Sequence, residues 1–181
     1  MSTLHPVLAA IKLATAMALT IVSSPTHPAD STRTFELKGA ALGQSFKDFS
    51  LSPRCDGYPI RCREVLPSFT IAGRRARILS AEFDYDEKLV DLSIVFDSTD
   101  YPTVKRDLTK KYGRPKGCAS RTMQNVYGAR YDAERCYWKR PTSQLYLDSL
   151  VDKPGDALVS ISTDAYLDKH SDRKGDGSGD I

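Results

Sequence analysis

Histidine is scarce in this chain, and its few copies lie near the two ends. The 181 residues contain three histidines, His5, His27 and His170, so none falls between residues 28 and 169. Ser-His-Asp triads, Cys-His pairs and histidine metal sites all need an imidazole. We therefore expect none of these sites in the folded body.

Other signatures of catalysis and cofactor binding are missing as well. The chain has no Gly-x-Ser-x-Gly, P-loop, Gly-x-Gly-x-x-Gly or Cys-x-x-Cys sequence. These patterns mark esterase-type nucleophiles, phosphate-binding loops, dinucleotide sites and redox dithiols, respectively. The expectation is a protein with no cofactor and no catalytic residues.

The net charge is small. The formal charge is +3, from 26 basic and 23 acidic residues that are interspersed along the chain. Nucleic-acid-binding domains concentrate positive charge instead, so no nucleic-acid partner is expected. The length suits one domain with accessory ends.

The first residues predict export. Lys12 precedes ten uncharged, mostly apolar residues, 13–22, and the polar, proline-containing stretch "SSPTHPAD" follows. This order is typical of a secretory signal peptide. A transmembrane anchor is the alternative, but the run is shorter than the ~20 residues that a bilayer requires. We predict a signal peptide in residues 1–29, cleaved between 23 and 29, and a periplasmic or secreted protein with no stable membrane span after cleavage.

Four cysteines are present, and in an exported chain an even number favours disulfides. They are Cys55, Cys62, Cys118 and Cys136, and four cysteines allow three pairings. We predict local pairing, Cys55 with Cys62 and Cys118 with Cys136, because each pair encloses a short polar segment with turn residues. The gaps are too wide for a structural zinc site or a redox dithiol, so no metal is expected.

Hydrophobic spacing predicts two helices. Leu42, Phe46 and Phe49 recur at helical spacing, which predicts a short amphipathic helix. A second helix is expected to begin at residues 98–100 and to end at Gly113, since Pro102 suits its first turn.

Alternating and apolar runs predict the strands. Residues 76–85 and 90–96 alternate and are joined by a tight turn near Asp86, which predicts a hairpin. The runs "RCYWKR", "QLYLDSLV" and "ALVSIST" predict a meander, with Trp138 packed against the helices. The predicted fold is α+β, with two short helices on one face of an antiparallel sheet of about five strands. Residues 30–167 form this single domain, and residues 168–181 form a disordered polar tail.

Three stretches of this domain carry a family resemblance. "LKGAALGQSF", "LVDLSIVFDS" running into "YPTVKRDLTKKYGRP", and "NVYGARYDAERCYWK" resemble small exported proteobacterial proteins. The overall shape is similar to the SmpA/BamE type of outer-membrane assembly factor and to the beta-lactamase inhibitor protein. The resemblance implies a binding fold and carries over no site residues.

Two groups of charged residues are candidates for function. Arginines gather around the first cysteine pair, and arginine and tyrosine are the residues that anchor interfaces. The predicted binding residues are Tyr58, Arg61, Arg63, Arg74 and Arg75. Acidic residues crowd the predicted hairpin at Glu82, Asp84, Asp86, Glu87 and Asp91.

The arginine group leads to the predicted function, which is an exported, non-catalytic binding protein of the bacterial envelope. Its partner is expected to be another envelope or extracellular protein, with the chain acting as an inhibitor, an immunity factor or an accessory factor. The acidic group leads to the alternative, an exported hydrolase that uses two carboxylates on cell-wall or other glycans. A calcium loop is not expected, because the glycine and distal glutamate of an EF-hand are missing. A solvated hairpin face is the simplest reading of the acidic group.

Overall fold

A computed structural model describes residues 34–51, 53–124, 128–151 and 153–175. The predicted signal peptide, residues 1–29, and the last six residues of the predicted tail lie outside these described residues. Neither helix in the described ranges has the length and apolar composition to span a bilayer.

The described chain forms two antiparallel sheets and two α-helices. β1 and β2 pair with each other, and the other nine strands form one sheet in the order β3-β4-β6-β7-β11-β10-β9-β8, with β5 also paired to β6. The strands are β1 (Glu36–Leu37), β2 (Ala40–Ala41), β3 (Arg54–Asp56), β4 (Arg61–Val65), β5 (Thr70–Ile71), β6 (Arg74–Phe83), β7 (Leu89–Asp97), β8 (Gly117–Gln124), β9 (Arg130–Arg140), β10 (Ser143–Asp148) and β11 (Asp156–Thr163). The helices are α1 (Tyr101–Tyr112) and α2 (Asp164–Gly175).

The α+β prediction with about five strands is wrong, because the fold is mostly β. The segment around Leu42 is also not a helix: it contains only a single 3-10 turn, Phe46–Asp48. Its aromatic rings pack on the sheet instead, with Phe46 and Phe49 lying 5.1 and 5.2 Å from the ring of Phe83. These residues therefore have helical spacing in the sequence, but they pack on the core from a loop.

The alternation along the central strands divides the large sheet into two faces. Leu79, Ala81 and Phe83 of β6 are buried in the hydrophobic core, as are Leu92 and Ile94 of β7. Successive side chains of a strand point to opposite faces, so the residues between these ones lie on the other side. The predicted hairpin of β6 and β7 and the meander of β9, β10 and β11 are confirmed.

Helix α1 covers the core face of the sheet, as its sequence predicts. Tyr101, Val104 and Leu108 are buried against the sheet, and the helix ends at Gly113, whose φ of +82° favours glycine. The hydroxyl of Tyr101 donates to the carboxylate of Glu134 on β9 at 2.6 Å. This contact joins the first turn of α1 to β9.

We name the opposite side of the sheet the open face, and a row of register partners crosses it. The row consists of Arg63, Ser80, Ser93, Ser160, Tyr146 and Tyr137, on six neighbouring strands.

Helix α2 lies over one end of this open face, so the two helices are on opposite sides of the sheet. Its Tyr166 interacts with Glu82 and Asp91, which belong to the open face. The helix continues to Gly175 and so includes residues 168–175 of the predicted tail.

Candidate functional site

The first cysteine pair holds together a hairpin at one end of the large sheet. Cys55 and Cys62 face each other on β3 and β4 and form a disulfide, and Cys118 and Cys136 form the second disulfide on β8 and β9. The predicted local pairing is confirmed. Two disulfides are consistent with an exported protein, since such bonds persist in oxidising compartments.

Tyr58 lies in the turn of this hairpin, where it is exposed and also held in place. Its side chain is 68% exposed, and that of Tyr85, in the turn after β6, is 58% exposed. The hydroxyl of Tyr58 donates to the backbone carbonyl of Tyr85 at 2.7 Å, and the two ring centroids are 5.2 Å apart. The two tyrosines therefore form a fixed aromatic pair in solvent.

Two of the predicted arginines extend this exposed surface along β4. Arg61 and Arg63 point to the open face, because Cys62 between them is buried on the core face. Arg61 pairs with Glu82 at 3.5 Å. Val65, next on the same face, is 64% exposed. We name Tyr58, Arg61, Arg63, Val65 and Tyr85 the hairpin surface.

The other two predicted binding residues lie elsewhere. Arg74 and Arg75 begin β6 and pair with β5, and Arg74 forms a salt bridge of 3.3 Å with Asp100 ahead of α1. Arg63 faces Ser80, which lies five residues beyond Arg75, or roughly 17 Å along the strand. The structure thus brings Tyr58, Arg61 and Arg63 together and separates Arg74 and Arg75 from them.

The neighbouring Arg77 has a structural role. Its guanidinium bonds the carboxylates of Asp97 and Asp156 and donates to the carbonyl of Gly155 at 3.0 Å. Asp156 is buried. The contacts connect β6, β7 and β11 at the edge of the core.

A cleft of about 280 Å³ adjoins the hairpin surface, between helix α2 and the end of the open face. His170 lines this cleft and stacks on Tyr166 with ring centroids 4.1 Å apart. His170 is thus the one histidine within the described residues, and α2 places it against the large sheet. The cleft is lined by Pro59, Arg61, Glu82, Phe83, Asp84, Tyr85, Val90, Thr163, Ala165, Tyr166, Lys169 and His170.

Two carboxylates lie side by side beneath α2. Glu82 and Asp91 are direct partners on β6 and β7. Asp91 accepts hydrogen bonds from Ser162 at 2.6 Å and from Ser93 at 3.2 Å. Burial raises the pKa of Asp91 to about 6, the charge of Glu82 adds to the increase, and the two serine bonds oppose it. Burial and the same two carboxylates also raise the pKa of Tyr166.

The remaining acids of the predicted cluster shape the turn between β6 and β7. The carboxylate of Asp84 accepts from the backbone N–H groups of Asp86 and Lys88 at 2.9 and 2.8 Å. Asp86 is exposed, and Glu87 occupies a turn position with a φ of +55°. The solvated hairpin face that the alternation predicts is thus found for these three acids, whereas Glu82 and Asp91 lie under α2.

A metal site is not supported by the donor groups that lie close together. Within the described ranges, Cys118, Glu134 and Cys136 place ligand atoms within 4.8 Å of one another. The two sulfur atoms form a disulfide and offer no thiolate. The carboxylate of Glu134 is bonded by Lys105 at 2.7 Å and by Tyr101, and these bonds lower its pKa.

Comparison with known proteins gives no relative from which a role could be transferred: no family model matches the chain, and no curated protein or solved structure is significantly similar to it.

Proposed function

We propose that this chain is an exported, non-catalytic binding protein of the bacterial envelope that acts by protein–protein contact. One observation carries the proposal. Five large apolar side chains in the described ranges are exposed, and four of them lie at the two ends of β4: Tyr58 and Tyr85 at the hairpin turn, and Val65 and Leu66 where the strand ends. Clustered exposed apolar side chains mark interaction sites, whereas scattered ones do not.

The composition and rigidity of the hairpin surface suit a protein partner. Tyrosine and arginine dominate the residues that contribute most to binding energy. The disulfide and the contact between Tyr58 and Tyr85 fix this surface before binding. Less conformational entropy is then lost on association. An envelope or extracellular protein is the partner that follows from this surface together with export.

Export rests on the pattern of residues 1–29 and on the two disulfides. A signal peptide, and a periplasmic or secreted mature protein, are part of the proposal. The resemblance to the SmpA/BamE type and to the beta-lactamase inhibitor protein agrees with a binding role and remains part of the proposal as well. The partner would be found by capture from periplasmic extract on the mature chain.

Arg63→Ala should weaken binding to the captured partner by about 1–3 kcal/mol, and Tyr58→Ala should act likewise. Arg63 is exposed and forms no ion pair with another described residue, so the free energy of unfolding should change by less than about 0.5 kcal/mol. Calorimetric titration and thermal unfolding would measure the two quantities separately.

Arg106→Ala is the matched control for this test. Arg106 is an exposed arginine on α1, on the core side of the sheet and away from the hairpin surface. Its loss should leave affinity unchanged. Wild-type affinity of the Arg63 and Tyr58 variants, or an equal loss in the Arg106 variant, would show that binding does not use the hairpin surface.

The second candidate is a hydrolase that uses two carboxylates on glycans, and the raised pKa of Asp91 favours it. An acid with a pKa near 6 suits proton donation to a leaving group, and Glu82 lies beside it. Asp91 is mostly buried under α2, so a substrate would have to displace the helix.

Incubation of the mature chain with peptidoglycan and chitin oligosaccharides tests this candidate. A hydrolase would release reducing ends, and Asp91→Asn and Glu82→Gln would each lower the rate by about 100-fold or more. Arg63→Ala should leave such a rate unchanged. We expect no turnover and a stoichiometric partner, and turnover that depends on both carboxylates would replace the binding proposal.

A further inference from the structure

Strand β8 is a long free edge at the end of the large sheet remote from the hairpin surface. It has eight residues and, among the described parts of the chain, pairs only with β9, in a register without interruption from Gly117 to Gln124. The opposite edge, β3, has three residues and follows Pro53. Proteins blunt sheet edges with short strands or proline, as at β3, and β8 has neither device.

The outward backbone groups of β8 follow from its pairing with β9. In an antiparallel pair, the close positions are those where the two residues exchange no hydrogen bonds. Cys118 and Cys136 are such a pair, with their Cα atoms 4.0 Å apart. The N–H and C=O groups of Cys118 therefore point away from β9, as do those of Ser120, Thr122 and Gln124.

Two features hold this edge in place. The disulfide connects β8 to β9, and the ring of Tyr137 lies so close over Gly117 that a Cβ on that glycine would come within 2.8 Å of the ring. A side chain at residue 117 would displace the ring. The edge is thus fixed in an extended form, which lowers the entropy lost when another strand pairs with it.

The charge around this edge indicates the chemistry of the strand it would accept. Residues 114–140 contain seven Lys or Arg against two Asp or Glu. Arg114, Lys116, Arg121 and Arg130 form no salt bridge with another described residue. Asp132 accepts from Thr122 at 3.1 Å, and Glu134 is bonded by Lys105. The charge beside β8 that no salt bridge pairs is therefore mostly positive, with Asp132 as the one carboxylate among four cations.

We propose that the edge of β8 binds an extended, acidic segment of a partner protein by β-strand addition. Main-chain hydrogen bonds to the outward groups of β8 supply affinity, and the neighbouring cations select acidic side chains. The β8 edge is separate from the hairpin surface. The test of this proposal is therefore independent of the test of the proposed function.

The probe is a blocked eight-residue peptide that alternates glutamate with valine, titrated into the mature chain at low ionic strength. The matched probe alternates lysine with valine. We expect the glutamate peptide to bind at least about 10-fold more tightly, and added salt to weaken it, since exposed charges are screened. Amide exchange followed by NMR should show new protection at Ser120 and Thr122, with no change at Ala119 and Arg121.

Ser120→Pro removes one outward N–H and no hydrogen bond to β9, because proline is tolerated where an edge N–H faces solvent. It should lower the affinity for the glutamate peptide by about 10-fold or more, whereas Ser120→Ala should not. Failure of the glutamate peptide to bind, equal binding of the lysine peptide, or self-association through β8 in place of peptide binding would overturn the proposal. If Ser120→Pro does not fold, the pattern of amide protection in the wild-type chain decides.

Discussion

Replacing Trp138 with alanine should lower the free energy of unfolding by about 3–5 kcal/mol. Trp138 is 3% exposed, and it is the single tryptophan of the chain. Its indole N–H donates to the carbonyl of Gly113 at the end of α1, at 2.8 Å. Alanine would leave a cavity between β9 and α1 and would leave that carbonyl without its partner.

Tyr137→Ala is the matched control, because it removes an aromatic ring from the adjacent position of the same strand. Tyr137 is 39% exposed and lies on the open face, so its loss should cost less than about 1 kcal/mol. Urea unfolding followed by far-UV circular dichroism serves both variants, since it does not depend on tryptophan fluorescence. Equal destabilisation by the two variants would contradict the burial of Trp138.

The interior strands of the sheet were predictable from sequence, and its edges were not. The strands β6 and β7 alternate buried apolar residues such as Leu79 and Leu92 with polar ones, and this alternation is the main signal for a strand. The edge strand β8 exposes Cys118, Ser120 and Thr122. A strand with so little to bury carries no hydrophobic pattern, and only its backbone pairing reveals it.

The candidate site was predicted only in part: three of the five predicted binding residues lie together. Tyr58, Arg61 and Arg63 belong to one hairpin, so closeness in sequence predicted closeness in space. Arg74 and Arg75 are also near in sequence, but they lie at the far end of a ten-residue strand. Sequence proximity is informative across a short turn and misleading along an extended strand.

Helix α2 was missed although its start carries a signal. The hydroxyl of Thr163 accepts from the backbone N–H of Tyr166 at 3.2 Å, Asp164 lies in the first turn, and Tyr166 and His170 are one turn apart. The glycine-rich and aspartate-rich residues that follow gave residues 168–181 the composition of a disordered tail. The average composition of residues 168–181 concealed the helix. The burial of Asp91 beneath this helix was therefore not predicted either.

Asp91→Asn should raise the free energy of unfolding at pH 8 by about 1–3 kcal/mol. Burial raises the pKa of Asp91 to about 6 from its ordinary value of 3.8. At a pH between these two values, Asp91 keeps its proton in the folded chain and has lost it in the unfolded chain. Asp91 therefore contributes most favourably to the free energy of unfolding below pH ~4. This contribution falls as the pH rises from ~4 through about 6, and above that pH it no longer changes.

The difference in stability between the variant and the wild type reports the titration of Asp91 together with its charge coupling to the titrating groups that face it. Those groups are Glu82 on β6 and Tyr166 and His170 on α2, and they are present in both proteins. The stability difference should grow between pH 4 and about 7 and then level off. Asp86→Asn, in the exposed turn, should show a difference below about 0.5 kcal/mol throughout.

Tyr166→Ala tests whether burial beneath α2 is what raises the pKa of Asp91. Tyr166 lies over the two carboxylates, and removing its ring would admit water to Asp91 and lower the pKa of that carboxyl. In the Tyr166→Ala background, Asp91→Asn should therefore stabilise the chain by less than half as much, which is a coupling that a double-mutant cycle measures directly. An unchanged effect of Asp91→Asn in that background would mean that the sheet alone buries the carboxylate. In that case α2 would have no part in setting its charge.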